Sequence, residues 1–213
     1  MLDEEQARAY AAADFESAHS RYPKLFDALF PDRPRRALVL DIGCGPCDVT
    51  MRFARANTGY RFHAVDGSTA MLNEARRALR RHRLETRVKL IQGRLPDVAL
   101  PRTAYDVILS TSLLHHLPEP EALWRTIRRH SKPGTIVFVV DLRRPASRNA
   151  ARALVTKYSA GEPAILKRDF LNSLLAAFTP AEVRQQLRAA GLTWLHARAF
   201  TDRHLMVRGR CPR

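Results

Sequence analysis

The chain has 213 residues, 46% of them apolar, which is enough for one α/β domain with a core of its own. No apolar run is long enough to cross a membrane. The acidic start Met1-Leu2-Asp3-Glu4-Glu5 lacks the apolar stretch of a secretory signal. The formal net charge of +15 draws anions, whether acidic metabolites or nucleic acid. The arginines are spread along the chain, as solvated surface charges are.

Residues 3–13 are expected to form a helix, and Pro31-Asp32-Arg33-Pro34 a loop that ends the N-terminal helices. A strand–turn–helix rhythm then begins. Strands are predicted at 37–41, 60–65, 88–92, 105–110 and 135–141, with helices from Val49, from the cap Ser68 to about Arg81, and over 120–130. Residues 146–178 read as mostly helical, with a break near Gly161-Glu162-Pro163. Thr179-Pro180-Ala181-Glu182 has the form of an N-cap, a proline at N1 and an acidic first turn, and Gly191 stops that helix. Closing strands are expected at 194–199 and 205–208. The alternation implies one doubly wound α/β domain, its parallel sheet covered on both faces. A helical lid (1–34) would precede the core (35–142). A helical insertion (143–180) and a closing helix with strands (181–213) would follow.

The first strand runs into the turn Asp41-Ile42-Gly43-Cys44-Gly45. Glycines there admit positive φ and close approach of a ligand to the backbone, and the next helix offers unpaired N–H groups. A dinucleotide fingerprint wants G-x-G-x-x-G, whereas here the sixth place is Asp48, and Asp41 precedes the turn. Two carboxylates would repel a pyrophosphate but suit a cationic ligand. Cys44-Gly45-Pro46-Cys47 is also a redox tetrapeptide, but no tryptophan precedes it and a full βα rhythm follows. Asp66 at the tip of the second strand is placed to bond a ribose.

Four segments together resemble the successive motifs of class I S-adenosylmethionine-dependent methyltransferases. They are Leu38-Val39-Leu40-Asp41-Ile42-Gly43-Cys44-Gly45-Pro46, Ala64-Val65-Asp66-Gly67-Ser68, Tyr105-Asp106-Val107-Ile108 and Leu113-Leu114-His115-His116-Leu117. The resemblance implies a Rossmann-like, seven-stranded, mostly parallel sheet with the last strand antiparallel. It implies S-adenosyl-L-methionine as cofactor and S-adenosyl-L-homocysteine as product. Asp41, Gly43, Cys44 and Gly45 would lie along the methionine part, with Arg21 pairing with its carboxylate. Asp66 and Gly67 would hold the ribose, with Ser68 and Met71 flanking the adenosine. Gly93, Arg94 and Leu95 would meet the adenine, Ser110 would face the amino-acid end, and His115 the mouth of the cofactor site. The chain departs from the pattern at Cys47, where the family usually keeps a third glycine. It departs again at Arg94, in a stretch where an aspartate often bonds adenine.

Methyl transfer needs alignment, exclusion of water and, for a protonated acceptor, a base. His115 is the candidate base, and Arg143 and Tyr158 are candidate substrate contacts. The tail also resembles the methyltransferase module of ovothiol biosynthesis, which acts on a thiohistidine. The expected acceptor is thus a small acidic or zwitterionic metabolite. RNA methylation and non-catalytic cofactor binding stay open as alternatives. Cys44, Cys47 and Cys211 make no disulfide framework, which points to a reducing cytoplasm. The cysteine and histidine spacing makes no zinc pattern, so no metal is expected. A monomer or a homodimer is expected.

Overall fold

A computed structural model describes residues 19–213. The helix expected at 3–13 and most of the proposed lid lie outside these residues. In chain order the elements are α1 (Arg21–Leu29), β1 (Ala37–Ile42), α2 (Asp48–Ala56), β2 (Tyr60–Asp66), α3 (Thr69–Arg81), β3 (Val88–Gln92) and β4 (Tyr105–Thr111). A short 3-10 turn (Leu114–His116) leads to α4 (Glu121–His130), β5 (Ser131–Leu142), α5 (Arg148–Tyr158), α6 (Ala164–Ala176), α7 (Pro180–Ala189), β6 (His196–Ala199) and β7 (His204–Arg210).

The strands form one seven-stranded sheet in the order β3-β2-β1-β4-β5-β7-β6. Every neighbouring pair is parallel except those made by β7, which runs antiparallel to both β5 and β6. The chain leaves β3 at one edge and returns to β4 beside β1. The switch point of the sheet therefore lies between β1 and β4, where open α/β sheets bind ligands.

The central strands are apolar on both sides because helices cover both faces. Along β5, Ile136, Phe138 and Val140 enter one core, and Val137 and Val139 the other. The first core is aromatic: Phe26 of α1 packs edge-on to Phe53 of α2 at 5.4 Å and to Phe138 at 5.8 Å between centroids. Residues of α3 complete that side. The second core centres on Trp124 of α4 with Val183 and Leu187 of α7, and the Trp124 indole N–H donates to Gln186 at 2.9 Å. α1 is thus a wall of the first core, since Tyr22, Pro23 and Phe26 are buried in it.

Local signals account for the boundaries. Ser68 caps α3 by accepting from the Met71 N–H at 3.3 Å. Thr179 and Glu182 form a reciprocal capping box around Pro180, and Gly191 at φ 71° ends the segment after α7. Several boundaries differ from the sequence expectation: β5 starts at Ser131 and β7 runs to Arg210. β6 starts at His196, because Leu195 N–H closes a turn onto Leu192 at 3.0 Å and Trp194 packs against the second core. The insertion's helix stops at Ala176, and Phe178 forms a lone parallel bridge with Arg143 beyond the tip of β5.

Phe138 touches aromatic partners from two helices and is fully buried. Phe138→Ala is expected to lower the unfolding free energy by about 3–5 kcal/mol, measured by denaturant titration.

Candidate active site

The candidate site gathers the loops after β1, β2, β3 and β4, which are tied to one another by hydrogen bonds. Gly43 and Cys44 N–H groups both donate to the Val65 carbonyl, at 2.8 and 2.9 Å. Asp66 bridges two loops: one oxygen accepts from Gly45 N–H and the other from Ser68 N–H, each at 2.8 Å. Gly93 N–H reaches the Asp66 carbonyl at 3.1 Å. Each carboxylate oxygen of Asp66 keeps a further lone pair for a hydroxyl.

Glycine is required at Gly43, which sits at φ 76°. A Cβ there would lie 2.9 Å from the Leu113 side chain, which crosses from the loop after β4. Gly45 also has positive φ, but a Cβ on it meets nothing within 4 Å. Cys47 holds a left-handed conformation too, at φ 66°, although it carries a side chain. It is fully buried in the first core. The departure from glycine is thus accommodated by strained backbone with the thiol packed inward. Contact with Cys47, together with burial, pushes the Cys44 thiol well above its ordinary range. That is the opposite of an activated thiolate.

Asp41 is buried, with one oxygen accepting the Thr50 hydroxyl at 2.5 Å. Its other oxygen has no partner among the described residues. Burial raises its carboxyl to about 6, against 3.8 ordinarily, and the Thr50 bond only partly offsets this. A lone carboxylate oxygen at the end of β1 suits a cationic ligand group such as an ammonium. Ser110 lies buried at the tip of β4, and its hydroxyl donates to the Ile42 carbonyl at 2.9 Å, joining two strand ends. Met71 is buried under the cap of α3, while Arg94 is exposed, its side chain beside Gly67. Leu95 packs into the second core. Arg21 is exposed at the start of α1.

The sequence reading missed two partners here. His19, just before α1, meets Asp48 at 2.7 Å, the first residue of the helix that follows the glycine turn. Burial opposes ionisation of Asp48, but bonds from His19 and Arg52 outweigh it and hold its carboxyl low. Asp141 at the end of β5 is the partner of His115, at 2.6 Å. The only sequence signal for it was a carboxylate closing an apolar strand.

Arg143 and Tyr158 both bond Asp202. Arg143 donates to the Asp202 carbonyl at 3.0 Å. Tyr158 OH donates to the Asp202 carboxylate at 2.6 Å, and Lys157 pairs with the same carboxylate at 3.0 Å. The Arg203 guanidinium lies 3.4 Å from the Tyr158 ring centre. Arg144 instead pairs with Glu182 of α7.

Comparisons agree with this geometry. A family model described as "Methyltransferase domain" matches residues 40–137. A ubiquinone biosynthesis O-methyltransferase of Xanthomonas oryzae pv. oryzae is 30% identical over 128 residues, covering 58% of this chain and 51% of that protein. A trans-aconitate 2-methyltransferase of Azoarcus is 31% identical over 103 residues, 48% of this chain and 38% of that protein. The chain thus spans about half, or less, of the length of these two relatives. Among solved structures, an S-adenosylmethionine-dependent methyltransferase from Aquifex aeolicus superposes with a TM-score of 0.71 at 17% identity, over 99% of both chains.

The sheet order, its single reversed strand and the glycine turn define the Rossmann-like methyltransferase fold. Within this fold, residues 40–137 match the methyltransferase domain model.

Two outcomes follow from the turn. Gly43→Ala forces a left-handed alanine against Leu113 and is expected to weaken S-adenosylmethionine binding by about 5- to 150-fold by calorimetry, given the roughly 1–3 kcal/mol cost of such strain. Because the Asp41 carboxyl is raised in the fold, its contribution to stability is present below about pH 4 and lost as pH rises through about 6. Asp41→Asn should therefore stabilise the ligand-free protein at pH 7 by on the order of 3 kcal/mol, with little change at pH 4. Binding of a cationic ligand to the native protein should weaken as pH falls through 6.

Proposed function

We propose that this chain transfers the methyl group of S-adenosylmethionine to a small acidic or zwitterionic metabolite and releases S-adenosylhomocysteine. Asp41, Gly43 and Gly45 would hold the methionine part, and Asp66 the ribose. Ser68, Met71 and the backbone of residues 93–95 would enclose the adenosine. The bound cofactor would supply an electrophilic methyl group. The protein's part is to align the acceptor with it and exclude water.

The observation that carries the acidic acceptor is the charge beyond the end of β5. Lys157 and Arg203 act on the single carboxylate of Asp202, and Arg143 bonds the carbonyl of the same residue. The Nε of Arg143 is buried without a partner among the described residues. This surplus of cations lies where loops from the strand ends converge, and guanidinium groups match carboxylates. The trans-aconitate relative, whose name gives a small acid, supports the same class. A 5-thiohistidine, carrying a carboxylate, an ammonium and an imidazole, falls within it.

RNA methylation has less support. The run Arg76, Arg77, Arg80, Arg81 has no interleaved aromatics, and Arg76 and Arg77 bond Asn73 and Glu74 on their own helix.

A release assay for S-adenosylhomocysteine over pooled metabolites, with 5-thiohistidine among them, is expected to find an acidic or zwitterionic acceptor. Arg143→Ala should then raise KM for that acceptor about 10-fold or more, with cofactor affinity unchanged. Turnover confined to RNA, or calorimetric cofactor binding with no turnover on any pool, would overturn this reading.

A further inference from the structure

Arginines that are scattered along the chain converge in space. Each βα unit carries its strand towards the candidate-site edge of the sheet and its helix back, so strand starts and helix ends share the opposite edge. Six neighbouring strands bring a cation there. They are Arg87 before β3, Arg61 in β2, Arg36 before β1, Arg102 before β4, Lys132 in β5 and Arg210 at the end of the antiparallel β7. Neighbouring strands lie about 4.8 Å apart, so this row is about 24 Å long. Arg55, Arg81 and Arg129 stand beside it, in the last turns of α2, α3 and α4.

Cations from separate elements meet at single groups. Burial, with Arg55 of α2 and Arg81 of α3, holds His82 below its ordinary range. Burial does the same to His63, helped by Lys89 of β3 and by Arg102. A Cβ on Gly59, in the turn into β2, would lie 3.2 Å from the Arg36 side chain. Carboxylates near this edge are already engaged: Asp27, Asp32 and Asp106 pair with Arg33, Arg210 and Lys132 at 2.8, 2.8 and 2.7 Å. Arg87 is also engaged, since it bonds the Asn57 and Tyr60 carbonyls and ties the loops together. Arg36, Arg55, Arg81 and Arg102 are exposed and pair with no carboxylate among the described residues. A helix C-terminus carries only about half a negative charge, so the dipoles of α2, α3 and α4 do not absorb this surplus.

We propose that this edge docks the phosphate backbone of a nucleic-acid duplex, at the end of the sheet away from the candidate active site. Guanidinium forks match phosphate oxygens two at a time. A duplex carries one charge per about 1.7 Å of its axis, so a row of about 24 Å faces a segment with about 14 charges. The exposed large apolar side chains among the described residues, Tyr158 and Ile165, lie on α5 and α6 of the insertion instead. The edge therefore offers no aromatic platform for unpaired bases and no apolar wedge for a lipid surface. Contacts to phosphates alone hold a duplex without regard to its sequence. The candidate site stays open to a small acceptor while the chain is docked, and docking does not depend on the methyl-transfer reading.

The test is fluorescence anisotropy of a labelled DNA duplex of about 24 base pairs, titrated with the full chain at salt from about 50 to 200 mM. Neutralising about five phosphates should give a slope of log affinity against log salt of about −4.5. A triple variant, Arg55→Gln with Arg81→Gln and Arg102→Gln, should make that slope shallower by about 2.7 and weaken binding at least ~10-fold at the lowest salt. Its affinity for S-adenosylmethionine should be unchanged. Arg148→Gln with Arg152→Gln and Arg168→Gln, on α5 and α6, removes the same charge and should leave duplex binding nearly as it was. Equal losses from the two triple variants would put binding down to net charge and overturn the proposal. So would a flat salt slope, a preference for single strands, or binding to phosphatidylserine vesicles with none to the duplex. Saturating S-adenosylhomocysteine should not displace the duplex; competition would place it at the catalytic edge and overturn the proposal too. If the first triple variant does not fold, Arg36→Gln with Arg102→Gln and the native salt slope decide.

Discussion

Parallel strands leave their loops at one edge of the sheet, and the backbone groups there have no ladder partners. In this chain carboxylates at the strand ends meet much of that demand. Asp66, closing β2, satisfies N–H groups from two loops, and Asp141, near the end of β5, satisfies three from two more segments. Asp41 near the end of β1 bonds the first full turn of α2 through Thr50. The loops that form the candidate site are therefore held by fixed negative charges. The same charges set which ligands the edge accepts, since cations and hydroxyl donors suit it and phosphates do not.

The two ends of this edge differ in sign. Around β1 and β2 the carboxylates prevail, whereas beyond β5 the cations around Asp202 do. One ligand with a positive centre and another with a negative handle can thus be oriented against each other along it. His115 and Asp141 stand between the two zones, from the loop after β4 and the end of β5.

Much of the fold was legible because its signals are local. Strands buried on both faces read as unbroken apolar runs, as in Ile136–Val140. The cap at Thr179 and the stop at Gly191 act within a few residues. What escaped depends on tertiary contact. The bridge of Phe178 to Arg143 and the Asp141–His115 pair join segments 35 and 26 residues apart, and the late start of β6 turns on packing against another element. The bond from the Ser110 hydroxyl to the carbonyl of the neighbouring strand is likewise invisible in a motif. The odd ionisation of Asp41 comes from burial, which a motif does not display.

The chain has two tryptophans, and both lie on the same side of the sheet: Trp124 is fully buried in the second core and Trp194 packs against it. The opposite core is built largely of phenylalanine and aliphatic side chains with Tyr22, Tyr60 and Cys47. Intrinsic tryptophan emission is therefore a one-sided reporter. It follows the α4 and α7 face, while far-ultraviolet dichroism follows the backbone of both. If the two signals move together on unfolding, the layers melt as one unit. If emission shifts first, the face carrying the closing helix and strands loosens while the face behind the glycine turn stays folded.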